Sequence, residues 1–275
     1  TIDASAKATG NEININAGAG DDSVTIGAAL TNAGAAIAGD VLVGGEGTDT
    51  LISDVDLLDA AVGLTGLTTL TGVSGFEKLS LNGFGAGADI VNTANISADI
   101  VQVNIITATD GDTTLNMGSG TQTVGLGGAD AVLVNDALTV DASGTGTSDA
   151  LTISNINLAT GTNQIGTADT DITATDFETV TIDTGSYSTA TAQLVNAVNV
   201  GTNALVLTGS NGLTTKATTG IITAATIDAS ALTGALVMNV AAATGVTSIT
   251  GGSAADTLVG DAASTISGGA GNDSI

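Results

Sequence analysis

A nine-residue pattern, G-G-x-G-x-D-x-U-x with U a large aliphatic residue, occurs near both ends of this chain. It reads Gly44-Gly45-Glu46-Gly47-Thr48-Asp49-Thr50-Leu51-Ile52 and, again, Gly268-Gly269-Ala270-Gly271-Asn272-Asp273-Ser274-Ile275. The glycines accept positive φ without a Cβ clash, so six residues make a tight turn that aims several carbonyls inward. The aspartate adds a hard, charged oxygen. The x-U-x that follows is a short strand with one aliphatic side chain for a core. One repeat buries nothing alone, so the pattern demands coils stacked on coils.

Residues 1 to 52 keep a nine-residue register. Ile15, Val24, Ala33, Leu42 and Leu51 fall at the U position, while Asp22, Thr31, Asp40 and Asp49 fall at the sixth. Ala17 to Asp22 keeps most of the turn chemistry, whereas Ala35 to Asp40 carries alanine where glycine belongs. Weaker copies follow: Phe84 to Val91 with Asp89, Gly125 to Val132 with Asp130, and Gly251 to Leu258 with Asp256. Gly118 to Val124 has Gln122 at the ligand position, which keeps a carbonyl oxygen but loses the charge.

Between these rolls the pattern changes. Ser53 to Val62 has a capping residue and helical spacing of Leu57, Leu58 and Ala61, which predicts a short helix. Ser188 to Val198 predicts a second one. Gly75-Phe76-Glu77-Lys78-Leu79-Ser80-Leu81 is echoed by Asp176-Phe177-Glu178-Thr179-Val180-Thr181-Ile182, an F-E-x-U-x-U unit that brings an aromatic into the core and starts a strand. Val101, Val103 and Ile105 alternate as a strand, residues 202 to 249 read as successive strands, and Asn211-Gly212 reads as a tight turn. Ile2-Asp3-Ala4-Ser5 recurs as Val140-Asp141-Ala142-Ser143 and Ile227-Asp228-Ala229-Ser230.

Composition limits the interior. Phe76, Phe84, Phe177 and Tyr187 are the only aromatics of 275 residues, and Trp and Pro are absent. A thick conventional core is therefore excluded, but a thin solenoid interior of small and β-branched side chains is not. A mean hydropathy of +0.42 argues against disorder. Lys7, Lys78 and Lys216 face 28 acids, for a net charge of −25. That charge excludes nucleic acid and an anionic bilayer as partners, and it opposes compaction unless counter-ions bind. Without Cys or His there is no disulfide, no thiolate or imidazole metal site, and no Ser-His or Cys-His nucleophile pair. No apolar run reaches transmembrane length, and no signal peptide is visible. The chain begins without Met and stops inside a repeat, so it reads as a piece of a longer protein.

The intact nonapeptides at 44–52 and 268–275 and the F-E-x-U-x-U units resemble those of RTX-type calcium-binding proteins, exported by Gram-negative type I secretion systems. The Thr, Ala and Gly richness is similar to that of their S-layer and adhesin members. The resemblance implies an all-β, right-handed parallel β-solenoid (β-roll) with short helical interruptions. Its expected parts are a first calcium-binding roll at 1–52, a helix and connecting strand at 53–81, degenerate coils at 82–250, and the start of a second roll at 251–275. It implies two nonapeptides, 18 residues, per coil, with Asp22 and Asp40 on one edge, Asp49 on the other, and Asp256 stacked on Asp273, 17 residues apart. It implies calcium held by the carboxylates of Asp49 and Asp273 with carbonyls around Gly45, Gly47, Gly269 and Gly271. Asp22, Asp40, Asp89, Asp130 and Asp256 are further expected ligands. The implied role is structural, at the cell surface, with calcium, further copies in a lattice or filament, and surface polysaccharide as partners. The alternative is the non-catalytic tail of a secreted enzyme. A third reading, ice binding, would use Thr-x-Thr steps such as Thr121 with Thr123 and Thr145 with Thr147, but these do not recur at the coil period.

Overall fold

The computed structural model is an all-β, parallel β-solenoid. The structure describes residues 1–8, 11–28, 30, 39–55, 57–58, 69–84, 88–107, 111–127, 137–144, 146–156, 165, 170–185, 193–215, 222–241, 243 and 245–275. With strands numbered along the chain, the largest sheet contains β1 (Ile2–Ala4), β3 (Ser23–Ile26), β5 (Thr50–Asp54), β7 (Lys78–Asn82), β9 (Gln102–Ile105) and β11 (Thr121–Leu126). It continues with β13 (Ala150–Asn155), β15 (Thr179–Asp183), β18 (Ala204–Gly209), β21 (Thr226–Leu232), β23 (Ser248–Thr250) and β25 (Thr265–Ser267). A second sheet stacks β8 (Asp89–Asn92), β10 (Thr113–Met117), β12 (Ala137–Ala142), β14 (Asp171–Thr173), β17 (Ala197–Asn199) and β20 (Ile222–Thr223). A third holds β16 (Gln193–Val195), β19 (Leu213–Thr215), β22 (Leu236–Asn239) and β24 (Thr257–Val259). A fourth, at the N-terminal end, holds β2 (Asn14–Ala19), β4 (Val41–Glu46) and β6 (Val73–Ser74).

Neighbouring strands are parallel and one coil apart, so the chain meets itself in register instead of folding back in hairpins. The register makes aliphatic ladders. Val24, Leu51, Leu79, Val103, Val124, Ile153, Ile182 and Leu207 stack in one column, all fully buried. Leu151, Val180, Leu205, Ile227 and Ile249 form a second. At about 1.5–3 kcal/mol for each fully buried aliphatic side chain, such ladders replace an aromatic core. Phe76 and Phe177 are both fully buried and sit directly before the Glu that precedes β7 and β15, as the F-E-x-U-x-U pattern predicts.

Coil length differs from the expected 18 residues. Asp22 lies one coil from Asp49, 27 residues away, while Asp256 lies one coil from Asp273, 17 residues away. Near the N-terminus three nonapeptides fit one coil, since Val24 pairs with Leu51 and Ile15 with Leu42, each 27 residues on, and the repeat around Ala33 lies outside the described residues. Among the described residues, only the C-terminal coil has the two-repeat length.

Two local expectations change. Val55, Leu57 and Leu58 are helical, with the remainder of 53–62 largely outside the described residues, and α1 (Thr93–Ile96) is a single turn capped by Asn92. The helix expected at 188–198 is instead β16 and β17 over its described part, with Val195 and Val198 buried. Cross-coil pairing with β19 and β14 outweighs a weak helical pattern. At the expected Asn211-Gly212 turn, Gly209 takes the positive φ, 104°, and Asn211 is buried with its Nδ2 donating to the Thr184 carbonyl at 2.8 Å.

Candidate cation site

Acids recur immediately before strands: Asp22 before β3, Asp40 before β4, Asp49 before β5, Glu77 before β7, Asp149 before β13, Glu178 before β15 and Asp256 before β24. There a carboxylate reaches back one coil and accepts a backbone N–H. The Asp22 N–H donates to Asp49 Oδ1 at 2.7 Å, the Ile13 N–H to Asp40 Oδ1 at 2.9 Å, and the Asp256 N–H to Asp273 Oδ1 at 3.0 Å. Leu236 N–H donates to Asp256 Oδ1 at 2.8 Å, and Gly120 N–H donates to Asp149 Oδ1. The glutamates of the two F-E units do the same with a longer arm. Glu77 Oε2 accepts from Asp49 N–H at 2.8 Å and Glu178 Oε2 from Asp149 N–H at 2.6 Å. Such charge-assisted bonds to backbone donors are the strong kind, and they lock coil to coil.

The second carboxylate oxygen decides what each corner is capable of. Asp256 Oδ2 accepts the Gly252 N–H at 2.7 Å within its own turn. Asp40 Oδ2 lies 3.2 Å from the Lys7 ammonium. Asp49, fully buried, leaves its Oδ2 without a hydrogen-bond partner. A buried carboxylate oxygen without a donor is costly, and it calls for a positive charge.

The glycines make the room around it. A Cβ on Gly44 would lie 1.8 Å from the Gly75 carbonyl oxygen and 2.7 Å from Asp49 Oδ2, so these two oxygens flank one notch that only glycine leaves open. The same notch recurs at Gly251, whose Cβ would meet Gly268 O at 2.2 Å and Asp256 Oδ2 at 2.7 Å. Gly45 and Gly269 add positive φ, 118° and 89°, to close approaches of the Gly18 and Gly252 carbonyls. Gly47 and Gly271 likewise face the Gly20 and Ala254 carbonyls across the coil boundary. Among the described residues no three Asp or Glu side chains converge. A cation here would therefore draw on one carboxylate and on backbone carbonyls, a hard oxygen set that suits calcium and not a metal seeking nitrogen or sulfur.

Each expected site residue has a definite place. Asp22 and Asp49 share one column, and Asp40 stands at a different corner, which reverses the expected edges because the coil is 27 residues long there. Asp256 and Asp273 stack as expected. Asp89 is buried at the start of β8 beside Thr113, while residues 85–87 of its turn and Asp130 lie outside the described residues. Gln122 is buried, its Nε2 donating to Ser119 O at 2.9 Å and its Oε1 without a partner. The backbone clamps made by Glu77, Asp149 and Glu178 and the ion pair of Lys7 escaped the sequence reading. The spacing from Asp49 to Glu77 and from Asp149 to Glu178, 28 and 29 residues, is the signal that links each F-E unit to an acid one coil earlier. On the outer face, Thr123, Thr152 and Thr181 are adjacent, but Val206 and Asp228 interrupt the column.

No protein-family model, curated protein or solved structure matches the chain. The functional reading therefore rests on its own residues.

Proposed function

We propose that this chain is a calcium-stabilised structural solenoid of the extracellular cell surface, part of an S-layer or adhesin that folds after type I secretion. The observation that carries the reading is the buried Asp49 Oδ2, unpartnered and sharing the Gly44 notch with the Gly75 carbonyl. Asp49, with Gly75 and the carbonyls around Gly45 and Gly47, would hold the ion. Asp273, with the carbonyls around Gly269 and Gly271, would form the C-terminal counterpart, while both oxygens of Asp256 already accept backbone N–H groups. Calcium bound there supplies the positive charge and the six to eight coordination positions that such oxygens fill. Stacked acids at Asp22, Asp49 and Glu77 hold their coils together by backbone bonds while adding to a net charge of −25. Neutralising that charge favours the compact state and allows copies of the chain to approach one another in a lattice or filament.

The test is a calcium titration of the chain followed by circular dichroism and melting. The expected result is a rise in Tm with a midpoint at about 0.1–1 mM, the range of extracellular modules, and no equivalent rise with magnesium, which prefers tighter octahedral sites. Identical melting in chelator and in calcium would refute the reading. Light scattering in the same titration tests assembly, with growth in particle mass expected only above that midpoint.

A further inference from the structure

We infer that Lys7 is a built-in counter-ion occupying the position of a metal ion at the Asp40 corner, so that this corner folds around a charge carried by the chain itself. Asp40 does what Asp49 and Asp273 do, clamping a backbone N–H of the preceding coil with its Oδ1, here that of Ile13 at 2.9 Å. The difference lies at Oδ2. Lys7 Nζ stands 3.2 Å from it, and both side chains are 1% exposed. A pair so far from water costs more to desolvate than a surface pair, so breaking it from one side leaves an uncompensated buried charge. The lysine is held for this task by a turn, its N–H donating to the Ala4 carbonyl at 3.0 Å. An ammonium on a flexible stem is a compact point charge, a shape that can stand where a small cation would. The chain has three lysines against 28 acids, and one of them is spent here. Asp40 is thus removed from the set of calcium ligands that the nonapeptide register implies, and the corner needs no ion from solution.

Lys7→Met, which keeps the stem and removes the charge, separates the possibilities. In chelator the variant is expected to melt about 10 °C below the wild type, the loss typical of an orphaned buried charge in a chain of this size. Calcium is expected to recover most of that loss, and native mass spectrometry is expected to count one more bound calcium than in the wild type. The double variant Lys7→Met/Asp40→Asn, which removes both charges, is expected to fold in chelator and to bind no additional ion. An unchanged melt in chelator, or a Lys7→Met protein that calcium neither rescues nor binds in excess of wild type at up to about 10 mM, ten times the extracellular range, overturns the inference. The part concerning metal rests on the calcium reading, yet the two fail separately. A wild type that binds no calcium refutes the proposed function, whereas an extra ion in Lys7→Met alone still upholds the role of Lys7.

Discussion

The Asp49 and Asp256 corners share a glycine notch and a backbone clamp one coil back, and they differ in one hydrogen bond. In the C-terminal turn the N–H four residues before the acid, that of Gly252, donates to Asp256 Oδ2. The equivalent residue in the N-terminal turn is Gly45, which is paired with Gly18 in the ladder of β2 and β4. Strand β4 runs on through this glycine, and the acid beside it is left without a local donor. In the C-terminal turn β23 ends at Thr250, before Gly251 and Gly252, and the turn closes on itself. One motif thus yields a self-satisfied corner and a corner that asks for a cation, and how far the preceding strand runs into the turn distinguishes them.

The largest expected effect tests whether the F-E units anchor both halves alike. Phe76→Ala and Phe177→Ala each empty a fully buried ring site and are expected to cost about 3–5 kcal/mol in chemical denaturation. Phe76→Ala is also expected to weaken calcium affinity, because Glu77 beside it clamps the Asp49 N–H, whereas Phe177→Ala leaves affinity unchanged. Equal affinity in both variants would break the link between Glu77 and the N-terminal corner.

Next in size are the notches. Gly44→Ala and Gly251→Ala drive a methyl group into a neighbouring carbonyl and are expected to lose stability at the upper end of about 1–3 kcal/mol, alike in sign and size. Gly120→Ala, at φ 85° with open space around it, is expected to lose less, about 1 kcal/mol from backbone strain. Should Gly44→Ala melt like the wild type, the carbonyl of Gly75 does not share that notch.

The sharpest comparison comes from Asp→Asn at the two corners. In chelator, Asp49→Asn is expected to raise stability by about 1 kcal/mol, since the amide keeps an oxygen for the Asp22 N–H and turns a donor toward the Gly75 carbonyl. Asp256→Asn is expected to lower it by about 1–3 kcal/mol, because both of its oxygens accept N–H groups and one must become a donor. Melting curves of the same sign for both would collapse the distinction between the corners.

The smallest effect concerns the three recurrent tetrapeptides. At Asp3 and Asp228 the hydroxyl and N–H of the serine two residues on hold the carboxyl below its ordinary pKa. Ser143 turns its N–H to Met117 O instead, and burial with the nearby Asp176 pushes Asp141 up. A raised folded pKa means that the charged form weakens folding, so the penalty is absent below the unfolded pKa of 3.8 and appears as pH rises through the folded value. Asp141→Asn is therefore expected to raise stability slightly at pH 7, by less than about 0.5 kcal/mol after solvent screening, and to lose that gain near pH 3. Asp228→Asn is expected to act in the opposite direction at pH 7, its favourable bond being lost only as pH falls through its lowered value. A gain for Asp141→Asn that persists at pH 3 would point to packing instead of charge.

What was legible in the sequence follows from local chemistry. Period-nine aliphatics such as Val24 and Leu51, turn glycines such as Gly44, and the buried Phe76 and Phe177 specify stacked parallel coils, because each repeat presents one side chain to a core it cannot close alone. The stack of Asp256 on Asp273 was legible for the same reason, its coil being close to two repeats long. What the sequence left open is everything that depends on how many repeats close a coil. Only the tertiary structure places Asp49 over Asp22 and moves Asp40 to another corner, lends Glu77 and Glu178 to acids 28 and 29 residues earlier, and sets Lys7 against Asp40. A nonapeptide dictates its own turn by sterics at its glycines. Which oxygen then finds a donor is settled across the coil boundary, by neighbours that no local pattern names.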